Sequence, residues 1–400
     1  MAPVCTLDDL DLTSLQGVRV FVRVDFNVPI DENGTVTDDT RLTEALPTLQ
    51  ELRQAGARLI LASHRGRPKG KPNPELSLAP VAKRLGELLG APVPFATDCV
   101  GPAAEELAGS LGDGDVGLLE NLRFHAGEKA NDEDFGDALA SLADVFVSDA
   151  FGSAHRAHAS VVGVPQRLAR KAAGRLMVRE VEALGHLLGE PKRPFAAILG
   201  GAKISGKIDT LDNLLERLDV LLVGGGMANT FLAAQGHDLA NSLVEADRVE
   251  LAASILHRAQ EAETQVLLPL DVVVTDDLSN PQRIETVAVE AIPAGTAAVD
   301  IGPATREVFG TALSQVATVF WNGPQGVFEV PPFDAGTVAV AQAFAASSAY
   351  KVIGGGETVA AVHRAGAAES VNHISTGGGA SLELLAGKTL PGVEILEVKS

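Results

Sequence analysis

Short apolar runs alternate with longer stretches of helical period along nearly the whole chain, and this alternation constrains the fold more than any other feature. The strand candidates of the first part are "VRVFVRV" (18–24), "ARLILAS" (57–63), "VGLLEN" (116–121) and "DVFVSDA" (144–150). Those of the second part are "FAAILGG", "DVLLVGG", "VLLPLDVVVT", "AAVDIG", "VATVFWNG", "YKVIGG" and "VNHIST". Amphipathic segments at 39–55, 76–89, 205–217, 246–261 and 335–347 lie between them. A β-α-β rhythm covers both faces of a sheet with helices, so it predicts parallel sheets. A chain of 400 residues exceeds what one such core holds. The expectation is an α/β fold of two doubly wound, Rossmann-like domains, joined by a helix, with a cleft between them.

The joining helix is expected at "RLMVREVEALGHLLG" (175–189), which puts Met177, Val181, Leu184 and Leu188 on one face before "EPKRP" stops it. The predicted division is therefore 1–174, the helix 175–189, 190–385, and a tail at 386–400 that returns to the first domain. The chain starts with Asp8, Asp9 and Asp11 where a secretory peptide would carry positive charge, and no apolar stretch is long enough to span a bilayer. A cytoplasmic protein is expected. Cys5 and Cys99 are the only cysteines and are not spaced for a zinc site, so any metal is expected to be held by oxygen. A net charge of -20 argues against nucleic acid and anionic membranes as partners. An anionic ligand then needs a local basic site, and the positions of the few arginines and histidines become informative.

In the first half those positions are strand ends. "RVDFNVP" brings Asp25 and Asn27, "DDTRL" brings Arg41, and "SHRGRPKGKP" brings His64, Arg65, Gly66 and Arg67. "ENLRFH" then adds Arg123, and "DAFGSAHRAHAS" adds His155, Arg156 and His158. In open α/β sheets ligands bind beyond the carboxyl ends of the strands, and guanidinium pairs bidentately with phosphate and carboxylate. Separate strand ends that each deliver cations point to a small, multiply charged anion.

The second half places glycines where the first places arginines: "LGGAK", "VGGGMANTF", "DIGPAT", "WNGPQGVFE", "IGGGETVAA" and "STGGGASLELLAG". Glycines after strands let a backbone approach phosphate closely, and the helix N-termini beyond them favour negative charge. "ILGGAKISGKIDTL" (198–211) nearly matches the phosphate-cradling G-x-x-x-x-G-K-[ST] loop, but Ile208 stands where that loop needs a hydroxyl for its metal. Ile208 instead reads as an apolar helix residue facing the sheet. Lys203 and Lys207, four apart, are expected on one helical face along a polyphosphate. Glu357 reads as either a magnesium ligand or a carboxylate stabilised by a helix N-terminus, and Glu329 as a partner for ribose hydroxyls.

In order along the chain, "RVDFNVP", "DDTR", "SHRGRP", "ENLRF", "SDAFGSAHRAHAS", "LGGAKISGKI", "GGGMANTF", "DIGP", "WNGPQGVFE", "GGGET" and "ISTGGGASLELLAG" closely resemble the phosphoglycerate kinases, from about Arg23 to the end of the chain. The resemblance implies reversible phosphoryl transfer from 1,3-bisphosphoglycerate to ADP in glycolysis, with Mg2+, by a cytoplasmic, hinge-bending monomer. It implies that Asp25, Asn27, Arg41, His64, Arg65, Gly66, Arg67, Arg123 and Arg156 hold the phosphoglycerate in the first domain. Lys203, Lys207, Glu329, Gly355, Gly356, Glu357 and Thr358 would hold the nucleotide, ATP or ADP, in the second. Arg41, Lys203 and Gly378 would act at the moving phosphoryl group, with Glu357 on the metal. Three positions depart from the family pattern: Arg65 for the usual Leu, Gly206 for a frequent Asp, and Glu357 for the usual Asp. Two other readings remain, a P-loop kinase or NTPase, which lacks its hydroxyl here, and an anion-binding protein without turnover.

Overall fold

The computed structural model describes residues 3–398. The chain divides into two compact units, one running to Glu182 and resuming at Thr389, the other spanning Ala183–Lys388.

In the first unit, β1 (Arg19–Val24), β2 (Arg58–Ala62), β3 (Val116–Leu118), β4 (Val145–Asp149) and β5 (Arg170–Ala173) pair in the order β3-β2-β1-β4-β5. All four pairings are parallel. Both faces are covered, which is why β1 reads as an almost continuous apolar run. Val20, Val22 and Val24 pack with Leu42, Leu49 and Leu52 of the helix Thr40–Gln54 and with Val81 and Leu85 of the helix Ala79–Leu89. Phe21 points the other way and stacks on Phe146 at 6.1 Å. The sequence RKAA of β5 carries no strand signal; its pairing with β4 and the bridge between Thr6 and Ala173 decide its conformation. The C-terminal segment belongs to this unit through Cys5 N–H to Leu396 O (2.8 Å) and Gly392 N–H to Ala154 O (2.8 Å).

The helix Arg175–Leu188 contains the division between the units. Its start is tied to the first: Arg175 N–H donates to Thr48 Oγ1 (2.7 Å), Met177 N–H to Asp149 Oδ1 (3.1 Å), and the Arg175 guanidinium to Glu51 and Asp8. Its end is tied to the second, where Arg217 donates to Leu188 O and His186 meets the edge of Tyr350.

The strands of the second unit are β6 (Phe195–Leu199), β7 (Val220–Val223), β8 (Gln265–Leu267), β9 (Asp271–Thr275), β10 (Ile284–Ala288), β11 (Ala297–Ile301), β12 (Thr318–Asn322), β13 (Tyr350–Gly354) and β14 (His373–Ser375). Six of them form a parallel sheet in the order β14-β13-β12-β6-β7-β8. Its core gathers Ile198, Val319, Trp321 and Ile353 under Phe309, Val340 and Phe344.

The expectation of parallel pairing throughout does not hold here, because β9 pairs antiparallel with β10 and β11 in a separate sheet. The run read as one strand, "VLLPLDVVVT", breaks around Pro269, which cannot donate to a ladder. The connections at 276–283 and 289–296 are shorter than the roughly dozen residues a parallel crossover requires. None of the described helices is long and apolar enough to cross a membrane.

Candidate active site

Each parallel sheet reverses its winding beside its first strand. In the first unit the chain runs from β1 out to β3 and returns to β4 on the other side of β1; in the second it runs from β6 out to β8 and returns to β12 beside β6. Such switch points leave a crevice at the carboxyl ends of the flanking strands. The sequence places Asp25 and Asn27 just after β1 and Arg156 in the loop after β4; Gly200 and Gly201 follow β6, and Gly323 follows β12.

At the first crevice, Arg41 Nη1 donates to Asp25 Oδ2 at 2.6 Å, while the His64 ring lies 4.0 Å from the other carboxylate oxygen. Asn27 Oδ1 accepts from Gly66 N–H (2.9 Å), and Gly66 O accepts from Arg123 Nη1 (2.8 Å), so three of the expected residues form one chain of contacts. Arg123 is 8 % exposed, and its Nε has no partner among the described residues. Burial, then Arg23 and Arg156, push its pKa down to about 10. Arg156 Nε donates to His155 Nε2 (2.9 Å). Arg67 is exposed. Arg65 is turned to the scaffold: its Nε donates to Val28 O (3.3 Å) and its Nη1 to Glu75 O.

Beneath these residues is a layer that sequence reading passed over. Arg23, 1 % exposed, donates from Nε to Ser160 Oγ (2.8 Å) and from Nη2 to Ser153 Oγ (3.3 Å), and its Nη2 lies 3.1 Å from His64 Nδ1. A guanidinium has no lone pair to give, so His64 Nδ1 accepts and the ring is neutral. Burial, with Arg23, Arg123 and Arg41 around it, holds its pKa well below the usual imidazole range. Fully buried Glu128 accepts from Ser160 N–H (3.0 Å) and Oγ (2.7 Å). Asn121 Oδ1 accepts from both Arg65 N–H and Arg123 N–H. One signal for Arg23 was available: a charge at the buried end of an apolar strand must have partners, and only partners distant in sequence supply them.

At the second crevice, Lys207 Nζ donates to Gly200 O and to Asn322 O (2.9 Å), so the ammonium sits between the ends of β6 and β12. Burial pushes its pKa down to about 8, and the charge of Glu357 opposes that shift. Gly200 admits no side chain, since a Cβ there would collide with Pro324 O and Gln325. Thr358 is fully buried and its Oγ1 accepts from Gly323 N–H (2.7 Å), which ties the glycine turn after β13 to the one after β12. Gln325 is buried against Gly224, its Nε2 donating to Gly323 O (3.1 Å), and was not anticipated either. Glu329 and Glu357 are exposed, as is Lys203. Gly355 precedes the helix Gly356–Arg364, and Gly378, at φ 52°, precedes the helix Gly379–Leu385 with open space where a Cβ would be.

Two expectations are corrected. Lys203 and Lys207 do not share a helical face, because the helix starts only at Ile208 and both lysines precede it. Ile208 occupies that first helical position and is half-buried rather than sealed against the sheet.

Two doubly wound α/β units, one with a cation-rich strand-end face and one with a glycine-rich face, define an enzyme of the phosphotransferase class. The phosphoglycerate kinase family profile matches residues 7–388. The chain is 54% identical to the phosphoglycerate kinase of Desulforudis audaxviator over 392 residues, 98% of each. Among solved structures it resembles the phosphoglycerate kinase of Coxiella burnetii (TM-score 0.89, 40% identity, 98% of this chain and 99% of that one). It also resembles that of Pyrococcus horikoshii (TM-score 0.82, 32% identity, 98% of each). The chain belongs to the phosphoglycerate kinase family. Its reaction is the glycolytic, reversible transfer of a phosphoryl group from 1,3-bisphosphoglycerate to ADP, and ADP and ATP are its co-substrates.

Proposed function

We propose that the unit built on β1–β5 holds the phosphoglycerate and the unit built on β6–β14 holds the nucleotide. The observation that carries this division is electrostatic. In a protein of net charge -20, Arg23, Arg123 and Arg41 all act on one buried imidazole, and Arg123 is itself depressed by burial and then by Arg23 and Arg156. Cations packed this closely repel one another, and a multiply charged anion relieves them. Arg41, Arg123, Arg156, His64 and the Arg65–Arg67 turn would take the phosphate and carboxylate of the substrate. Asp25 and Asn27 suit its hydroxyl, because a carboxylate among cations is best placed to accept from a donor. In the second unit Lys207, Lys203 and the amides of Gly355, Gly356 and Thr358 would take the phosphates, and Glu329 the ribose.

The nucleophile in either direction, a diphosphate oxygen or a carboxylate, is anionic at neutral pH, so no general base is needed and positioning with charge neutralisation supplies the rate. Arg41, Lys203 and the Gly378 amide would stabilise the moving phosphoryl group. Asp25, through its contact with Arg41, would keep that guanidinium in place between turnovers. In-line transfer needs reacting atoms roughly 3 to 3.5 Å apart, so both ligands together would draw the units inward about a hinge near residues 170–190; an unchanged radius of gyration in the ternary complex would refute this.

Glu357 suits Mg2+ in one specific way. It is a single exposed carboxylate beside the glycine turn after β13, and its charge acts on Lys207. One carboxylate fits a metal that arrives on nucleotide phosphates and keeps several waters, rather than one held by protein alone. When bound, Mg2+ would neutralise phosphate charge during transfer. A magnesium titration of activity tests this: Glu357→Gln should need more magnesium for half-maximal rate, and an unchanged response removes Glu357 from the site. The protein is proposed to work as a cytoplasmic monomer, and sedimentation at working concentration checks the oligomeric state.

A further inference from the structure

Outside both crevices, three side chains with different donor atoms converge. Asp98, Cys99 and His125 each offer one ligand atom, and all three atoms lie within 4.8 Å of one another. We propose that they form a binding site for a borderline-soft divalent cation of the Zn2+ class.

The donor set selects the metal class. Thiolate, imidazole and carboxylate together suit Zn2+ and its neighbours, whereas Mg2+ and Ca2+ take oxygen alone. Tetrahedral zinc sets ligand atoms about 3.3 to 3.6 Å apart, from bond lengths near 2.0 to 2.3 Å. His125 Nε2 lies 2.7 Å from Asp98 Oδ1, closer than that range, so a bound metal would have to spread this pair. The backbone is already fixed. Cys99 N–H donates to Asp98 Oδ1 (2.7 Å), His125 N–H donates to Leu122 O (3.2 Å), and the imidazole stacks on Phe135 at 5.2 Å.

The local field favours a cation as well. Cys99 is fully buried, while the side chains of Asp98 and His125 are 47% and 32% exposed, so a metal can enter across them to reach the sulfur. Burial, followed by negative charge from Asp98, Glu128 and Glu120, pushes the Cys99 thiol up. A divalent cation reverses that balance: the sulfur–metal bond forms, the S–H proton leaves to solvent, and no electron changes hands. Three protein ligands leave the fourth position to water.

Cobalt(II) titration of the full-length protein in a Cys5→Ser background tests the site. The expected result is one equivalent bound, with the intense visible bands of tetrahedral cobalt and a thiolate charge-transfer band in the near ultraviolet. Zn2+ should displace these signals and excess Mg2+ should not. Cys99→Ala should abolish the charge-transfer band while keeping phosphotransfer activity, and His125→Gln should weaken binding by at least about tenfold. Absence of a thiolate band, its survival in Cys99→Ala, or equal displacement by Mg2+ would each overturn the proposal. Should Cys99→Ala fail to fold, His125→Gln decides, since its ring is partly exposed: unchanged cobalt affinity there is equally fatal.

Discussion

The two units use one topology and opposite chemistry. Both sheets place their loops at a winding reversal, β1 beside β4 in one and β6 beside β12 in the other. The first fills that place with side-chain charge, above a buried layer that contains Arg23, His64 and Glu128. The second fills it with backbone, and uses the half-buried ammonium of Lys207 to join two strand ends. The difference follows from what each face would hold. A small anion offers few atoms and needs many convergent cations, whereas a polyphosphate is long enough to lie along successive glycine turns whose amides point outward.

The largest effect that would sharpen this contrast is on turnover. Arg41→Ala is expected to lower kcat by on the order of 10²–10³-fold, the cost typical of removing one group aimed at developing charge, while the Michaelis constant for 3-phosphoglycerate changes far less. A rise in the Michaelis constant alone would make Arg41 a plain binding residue and blur the distinction between the faces.

Next in size is the lysine. Lys207→Ala is expected to weaken ADP and ATP binding about tenfold or more, as for loss of a charged hydrogen bond, with phosphoglycerate binding nearly intact. Because burial holds the native pKa near 8, phosphate beside the ammonium should restore its proton. Nucleotide binding above about pH 8 should therefore take up protons, seen by calorimetry in buffers of different ionisation enthalpy, and Lys207→Ala should lose that uptake.

A smaller effect distinguishes the units by pH. Burial and the surrounding arginines push the His158 pKa down to about 4. Between there and the ordinary 6.5 the unfolded chain holds the extra proton, so His158 contributes stability above pH 6.5 that is lost as pH falls through 4. Asp300 has the opposite sign. Burial raises its carboxyl to about 7, against hydrogen bonds from Gly336 N–H and Ile301 N–H, so its contribution is full below the ordinary 3.8 and is lost as pH rises through 7. Across pH 4–7, where the two contributions overlap with opposite sign, urea midpoints should rise less steeply with pH in His158→Gln and fall less steeply in Asp300→Asn than in the parent protein. Equal slopes in both variants would refute the assignment.

The smallest effect concerns the loop that resembles a P-loop. Full burial of an Ile side chain is worth about 1.5 to 3 kcal/mol, and Ile208 is only half-buried. Ile208→Ser should therefore cost about 1 kcal/mol in denaturant unfolding and bring no gain in magnesium-nucleotide affinity. A gain would show that a hydroxyl there can serve the metal.

Legibility differed between scaffold and site. The main parallel strands were readable because both their faces are buried and their runs are mostly apolar, with polar residues only towards their ends, as in β1, β4, β6 and β12. The strand β5 was not, since RKAA has the composition of a turn and is held by neighbours remote in sequence. Nor was β10, whose IETVA is largely exposed and pairs only because β9 lies beside it. The arginines and glycines at strand ends were visible as residue types at recurring positions. Their supports, Arg23, Asn121, Glu128 and Gln325, were not, because each meets groups remote in sequence, such as Gly224 for Gln325, that only folding brings near.

What the sequence by itself determined is therefore the period of the elements and which side of each strand end carries charge or glycine, since both are local properties written in neighbouring residues. Tertiary structure alone decided that Lys207 lies between the ends of β6 and β12, that Arg65 turns to the carbonyls of Val28 and Glu75, and that Asp98, Cys99 and His125 meet. The physical reason is that a buried charge must find its partners wherever the packed chain places them, and that placement follows strand order, which no local pattern encodes.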